Sequence, residues 1–471
     1  MRTLIKDIVK NEGQKVELNG WVDVRRDHGK IIFIDLRDRS SKCQVVFIGK
    51  DKDLYAKAII LRPEWVVKIT GQVNKRPDKL INKDLDTGEY EILAEEMEIL
   101  NESKTPPFEL GTDGYEVNEE IRMKNRYLDV RRERLQKNIR NRSKMITFAT
   151  NFLQDKDFVQ VETPVLSKST PEGARDYLVP SRVQPGKFYA LPQSPQQYKQ
   201  LLMTSGIERY FQFARCFRDE DTRGDRQPEF TQLDMEMSFV EEEDVMGVVE
   251  EMLIKMIGEL YPEKKIQTVP FPRMTYKEAM DKYGTDRPDL RENKDDPNLL
   301  AFCWVVDFPF FEKTDDGKWT FTHNPFSAPK PEYMKMLMDG ENIGEILTTQ
   351  YDISLNGWEI AGGSIRNHQS EALRKVFEVM GLEEEKVQEN FGHMLEAFNN
   401  GTPPHGGIAY GFDRLVMILQ NEPNIREVIA FPKTGDGRDL MMEAPSEAGK
   451  DQLKELSIEI NPVRDKKSDG K

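Results

Sequence analysis

The dipeptide Asn356-Gly357 lies inside the run YDISLNGWEIAGGSIR, with apolar and polar residues alternating on both sides of it. Asn-Gly suits a two-residue type I′ turn, in which both central residues take positive φ, so the run is expected to be an antiparallel hairpin. Leu355 then faces Trp358, and Ser354 faces Glu359. Asp352 shares the face of Ser354 and becomes a diagonal neighbour of Glu359, while Tyr351, Ile353, Leu355, Trp358 and Ile360 take the buried face. Such a sheet argues against a doubly wound parallel fold, and neither G-x-G-x-x-G nor G-x-x-x-x-G-K-[ST] occurs in the chain. Simple alternation puts Arg366 on the buried face. A bulge at Gly362-Gly363 is therefore expected to bring it round to the side of the two acids.

A second stretch, FRDEDTRGDRQPEFTQLDMEM (217–237), alternates in the same way. Phe230, Gln232, Asp234 and Glu236 fall on one face, and Thr231, Leu233, Met235 and Met237 on the other. Arg218 and Glu220 share a face upstream. An aromatic ring beside a guanidinium suits a planar base and its phosphates. Asp352 and Glu359 repel one another unless a divalent cation bridges them to substrate phosphates, which makes them candidate metal ligands. In GGIAYGFDRLVMIL, glycines precede a helix with Arg414 in its first turn. In LPQSPQQYKQLLM, Gln196 and Lys199 are three apart on a helix and face the same way. STPEGARD is a glycine-containing loop bearing Glu172, and THNPFS carries His323.

The first hundred residues hold five short alternating runs, QKVELNGWVDV, KIIFIDLRD, KCQVVFIG, EWVVKITGQV and GEYEILAEEMEIL, which are expected to close into an OB-type barrel. The expected organisation is α+β: the barrel over 1–103, a hinge over 104–130, a catalytic domain with an antiparallel sheet flanked by helices over 131–448, and a C-terminal extension over 449–471 whose end is disordered. Formal net charge is −15 over 471 residues, so a polyanion must be met by a local basic patch. Ten Lys or Arg against two acids between Arg122 and Lys144 make that helical stretch the candidate phosphate-facing surface. Three scattered cysteines, no signal-like apolar core and no span-length apolar run point to a cytoplasmic chain without a membrane segment.

Taken together, FRDE followed by RQPEFTQLD, then GFDR, and FVQVETPVL with Pro164, resemble the three motifs of the class II aminoacyl-tRNA synthetases, and within them the bacterial-type aspartyl-tRNA synthetase family. The resemblance covers nearly the whole chain. It implies a homodimer built at FVQVETPVL, with ATP, L-aspartate and tRNA-Asp as substrates and Mg²⁺ as cofactor. Arg218, Glu359 and Arg414 would be catalytic. Arg218, Asp219, Glu220, Gln227, Phe230, Glu359, Gly411, Phe412, Asp413 and Arg414 would contact ATP, the adenine lying between Phe230 and Arg414. Glu172, Gln196 and Asp234 would hold the ammonium of aspartate, Lys199, Arg366 and His323 its side-chain carboxylate, and Asp352 and Glu359 the Mg²⁺. Arg25, Arg26, His28, Phe33 and Gln44 would meet the anticodon, with Phe33 stacking on a splayed base. An asparagine-directed relative differs at the position of Lys199, and a catalytically silent RNA-binding paralogue is disfavoured by intact Arg218, Asp352, Glu359 and Arg414.

Two departures stand out. Bacterial-type members carry an inserted domain after the stretch matching DRPDLR, whereas here DRPDLRENKDDPNLLAFCWVV passes almost directly onward. His28 occupies a position where the family's stricter enzymes tend to have Leu and its relaxed ones His, which extends the expected partners to tRNA-Asn.

Overall fold

In the computed structural model, residues 2–169, 173–220 and 224–461 are described. Glu172 and the tail 462–471, two subjects of expectation above, lie outside them. The chain divides into two compact units, Met1–Glu109 and Leu110–Lys471.

The first unit is a closed five-stranded barrel made from the strands Lys15–Asp27, Ile31–Arg37, Lys42–Ile48, Val66–Lys75 and Tyr90–Asn101. Strict alternation explains its packing: Ile32, Ile34 and Leu36 are fully buried, while Phe33 and Asp35 are turned the other way and only partly covered. A helix over Lys52–Ile60, unforeseen among the five strands, starts where the Asp51 side chain accepts hydrogen bonds from the Asp53 and Leu54 amides.

The second unit is built on a sheet that, among the described residues, has eight strands. Its six central strands, Phe302–Val306, Gln350–Leu355, Trp358–Ile365, His405–Gly411, Glu229–Ser238 and Arg209–Phe217, pair antiparallel in that order. Arg273–Thr275 and Val159–Gln160 add parallel edges, so the sheet is mixed rather than wholly antiparallel. Leu233, Met235 and Met237 pack with Met145, Ala149 and Leu153 of the helix Glu133–Gln154 and with Val245, Val249 and Leu253 of the helix Glu242–Leu260. One sheet face is therefore core, and the other is free for polar groups.

The hairpin pairs as its turn requires, Leu355 with Trp358 and Ser354 with Glu359, but the expected bulge at Gly362-Gly363 is absent. Ile353 pairs with Ala361, so the extra residue is Ile360, two positions earlier. Beyond it, Gly362 opposes Asp352 and Ser364 opposes Gln350 in regular register. The shift of parity at Ile360 puts Gly362, Ser364 and Arg366 on the face of Asp352. The glycines serve close approach instead: a Cβ on Gly362 would lie 2.7 Å from Asp352 Oδ1, and one on Gly363 2.1 Å from the Gly407 carbonyl oxygen.

The expected hinge and phosphate-facing helix are both different in the structure. From Leu110 the chain clusters with the second unit, including helices over Glu119–Lys124 and Arg126–Asp129. Arg122, Arg126 and Arg132 converge on the buried Asp129, at 3.1, 2.7 and 2.7 Å. Arg122 and Arg134 also grip Glu427, at 2.7 and 2.8 Å, and Arg142 pairs with Asp413. Half of the ten cations are thus internal ties, Arg126 and Arg132 to Asp129 within the stretch and Arg122, Arg134 and Arg142 to acids far along the chain, which withdraws them from any polyanion.

Candidate functional site

A cavity of about 240 Å³ opens on the polar sheet face. Its wall gathers Arg218, Glu220, Gln227 and Phe230 from the facing ends of the strands Arg209–Phe217 and Glu229–Ser238 and the residues just beyond them, Glu359 from the strand Trp358–Ile365, and Gly411, Asp413 and Arg414 from the junction of His405–Gly411 with the helix Phe412–Leu419. The Arg218 amide donates to the Pro228 carbonyl at 2.9 Å, and its guanidinium carbon lies 5.1 Å from the Phe230 ring centroid. Among the described residues no carboxylate pairs with Arg218. Arg414 is anchored: one nitrogen donates to the Glu359 carbonyl oxygen and another to Asp225 Oδ2 at 3.0 Å. Asp225 is a site residue that periodicity could not find, because only the tertiary fold sets it beside an arginine 189 residues away.

Other expected members are placed differently. Gln227 clasps the backbone of Lys433, accepting from its amide at 2.7 Å and donating to its carbonyl at 3.1 Å. Asp413 accepts from the Thr231 amide at 2.9 Å and so ties the helix start to the neighbouring strand. Phe412 is fully buried, edge-on to Phe213 with centroids 5.1 Å apart, and does not line the cavity. Asp219 is exposed, its amide donating to the Arg175 carbonyl, and it too is outside the wall.

The polar face of Glu229–Ser238 continues from Gln232 at the cavity to Asp234 and Glu236, which are fully buried. Lys199, from the helix Gln196–Thr204, donates to Asp234 Oδ1 at 2.6 Å and lies 3.3 Å from Glu236 Oε2. Arg366 donates to both Glu236 oxygens, at 2.9 and 3.2 Å, and to Ser364 Oγ at 2.8 Å. Two cations and two anions so form a buried, neutral square. Burial pushes the Glu236 carboxyl up, but Arg366 and Lys199 outweigh it and hold it down at about 2. For Asp234 burial prevails over Lys199 and its carboxyl is raised. Among the described residues Asp234 Oδ2 is buried without a hydrogen bond of normal geometry, an acceptor available to a positively charged group. Glu236 was legible as a face residue but not as the partner of Arg366.

Asp352 is buried, with Gln350 donating to its Oδ1 at 2.6 Å and His323 Nδ1 3.9 Å from its Oδ2. Burial drives its carboxyl well above the usual range, and Glu359 adds to the effect. A buried carboxyl destabilised by a second acid is an oxygen-only set suited to a hard cation such as Mg²⁺, with substrate oxygens completing the shell. Burial also lowers His323, which stands edge-on to Phe308 at 4.6 Å.

In the barrel, Arg26 pairs across the strands with Phe33, and Asp35 with Gln44. His28 lies edge-on to Phe33 with centroids 5.4 Å apart. Arg26 makes a two-pronged pair with Asp35, both contacts 2.7 Å. Gln44 donates to Glu91 Oε2 at 2.8 Å, which adds Glu91 to this face. Arg25 pairs across the strands with Ile34, and its partly exposed side chain lies 3.6 Å from Asp27 Oδ2.

The family model for tRNA synthetases class II (D, K and N) matches residues 118–435, and that for the OB-fold nucleic acid binding domain matches residues 16–100. An aspartate–tRNA(Asp/Asn) ligase of Rubrobacter xylanophilus is 40% identical, with 96% of this chain and 95% of the relative covered. One of Natranaerobius thermophilus is 41% identical, covering 95% and 97%. The first alignment runs over 574 positions against a chain of 471, so the relative carries additional residues with no counterpart here. Among solved structures, asparaginyl-tRNA synthetase of Pyrococcus horikoshii superposes with a TM-score of 0.74 at 20% identity, over 92% of this chain and 98% of that one. Aspartyl tRNA synthetase of Entamoeba histolytica gives 0.72 at 22%, over 92% and 91%.

Proposed function

Since the chain belongs to the class II tRNA synthetases (D, K and N), we propose that it is an aspartate–tRNA ligase, activating L-aspartate with ATP and passing it to the 3′ end of tRNA-Asp. The observation that carries this reading is the junction of two sites on one sheet face. A cavity walled by Arg218, Phe230 and Arg414 adjoins a buried square of Lys199, Arg366, Asp234 and Glu236.

The aspartate α-carboxylate attacks the α-phosphorus in line, forming aspartyl-adenylate and releasing pyrophosphate, and a ribose hydroxyl of the tRNA then takes the aspartyl group. No protein nucleophile is needed, so catalysis is positioning and charge neutralisation. Arg218 faces the α-phosphate, and adenine lies between Phe230 and Arg414, with Glu220 at its amino group. The ammonium of aspartate meets Asp234 and Gln196. Its side-chain carboxylate meets Lys199 and Arg366, sharing their donors with Asp234 and Glu236, a charge-assisted contact that a neutral amide would make more weakly. Asp352 and Glu359 would hold Mg²⁺, which when bound would offset phosphate charge. The test is pyrophosphate exchange: aspartate should support it and asparagine should not, and preference for the amide would overturn the roles of Lys199 and Arg366.

Several finer points belong to the same reading. No described helix is long and apolar enough to cross a membrane, in keeping with work in the cytoplasm. Val159 of the sheet's edge strand and Val165 and Leu166 in the irregular segment after it are exposed, a surface suited to a second copy of the chain. On the barrel, Phe33 offers a stacking face and Gln44, turned by Glu91, an acceptor for a base edge. His28 beside Phe33 admits tRNA-Asn as well as tRNA-Asp, as the relatives' names imply for them. His28→Leu is expected to lower charging of tRNA-Asn about tenfold, the scale of one lost base contact, with tRNA-Asp charging little changed. Equal loss on both transcripts would remove His28 from discrimination.

A further inference from the structure

Behind the amino-acid pocket lies a chain of side chains that begins at a fully buried histidine. His405 Nδ1 is 2.8 Å from the Pro403 carbonyl oxygen. A carbonyl oxygen only accepts, so Nδ1 carries the proton and Nε2 presents a lone pair. Burial keeps the ring uncharged, lowering it to about 4 against the pull of Glu236 and with the help of Arg366 and His368. Gln200 Nε2 lies 3.1 Å from His405 Nε2 and must therefore be the donor. The Gln200 amide is thereby oriented, and its Oε1 accepts from Gln196 Nε2 at 3.0 Å. The remaining polar atom of Gln196 is its own carbonyl oxygen.

A glutamine amide is nearly symmetric in shape, so packing alone scarcely distinguishes its oxygen from its nitrogen. The chain supplies direction. We infer that His405, acting through Gln200, is a positioning residue that turns the Gln196 carbonyl toward the substrate ammonium. This rests on the proposed aspartate site. Gln196 lies one turn before Lys199 on the same helix, and Lys199 contacts Asp234. A reversed Gln196 would meet the ammonium with N–H donors, and binding would weaken through repulsion. Both relay residues are fully buried, so they touch no ligand and act on substrate only through Gln196.

Steady-state exchange kinetics with Gln200→Met, Gln196→Met and the double variant test the relay. Gln200→Met should raise KM for aspartate about tenfold, as for loss of one charge-assisted hydrogen bond, and leave KM for ATP within about twofold. In the Gln196→Met background the same change should add less than about twofold, because the residue it orients is gone. The same factor in both backgrounds, or a matching rise in KM for ATP, would overturn the inference as a general structural effect. Wild-type protein lacking aspartate-dependent exchange would instead overturn the underlying function. The ¹⁵N spectrum of the histidine rings decides the relay independently of activity and of the variants' folding. The chain has five histidines, and His405 should show a neutral ring protonated at Nδ1 at pH 7. A ring protonated at Nε2, or a charged one, would overturn it.

Discussion

Arg218→Ala is expected to lower aspartate-dependent pyrophosphate exchange about a thousandfold, the scale seen when a group facing developing phosphoryl charge is removed. The reason is the state of its guanidinium. It rests over the Phe230 ring with no carboxylate partner among the described residues, so its charge is uncommitted. Arg414 differs, since Asp225 and the Glu359 carbonyl already hold it in place. Arg218→Lys should recover only part of the loss, because a point charge replaces a planar fork. The drop should fall mainly on kcat; unchanged exchange in Arg218→Ala would separate this cavity from the chemistry.

Asp129→Asn is expected to destabilise the second unit by about 3–5 kcal/mol, read from denaturant midpoints, because three arginines would lose a buried counter-charge. Arg122, Arg126 and Arg132 all contact Asp129, which is fully buried. Acid should do the same to the wild type. Burial raises the Asp129 carboxyl, yet the bonds from Arg122 and Arg132 prevail and its folded value lies below 3.8. Glu427, held by Arg122 and Arg134, likewise lies below 4.5. A lowered folded value gives stability that is present above the unfolded value and is lost as pH falls through the folded one. Wild-type stability should therefore decline below about pH 4.5, and Asp129→Asn should show a shallower decline there. A variant as stable as the wild type at pH 7, with the same acid profile, would show that the network contributes little.

The basic stretch between Arg122 and Lys144 shows why part of the design was illegible. Its charge count is correct, but a count along the chain says nothing of Glu422 and Glu427, which arrive from about three hundred residues away to neutralise it. The hairpin shows the reverse. Asn356-Gly357 set its register correctly because turn geometry is a property of two residues. The same reasoning put the bulge at Gly362-Gly363 because glycine permits one. The structure puts it at Ile360 and uses the glycines to let Asp352 and the Gly407 backbone come close. Which of two permitted kinks forms depends on what packs across the sheet.

The five barrel strands, the polar and apolar faces of EFTQLDMEM, the hairpin and the family motifs were all determined by the sequence alone, since each rests on residues within a few positions of one another. The anchoring of Arg414 by Asp225, the pairing of Arg366 with Glu236, the ties from Asp129 and Glu427, and the relay from His405 to Gln196 were decided only by the tertiary structure. Alternation is a local steric property of the backbone. The partner of a buried charge is whichever opposite group the folded chain brings within about 3 Å, at any separation in sequence.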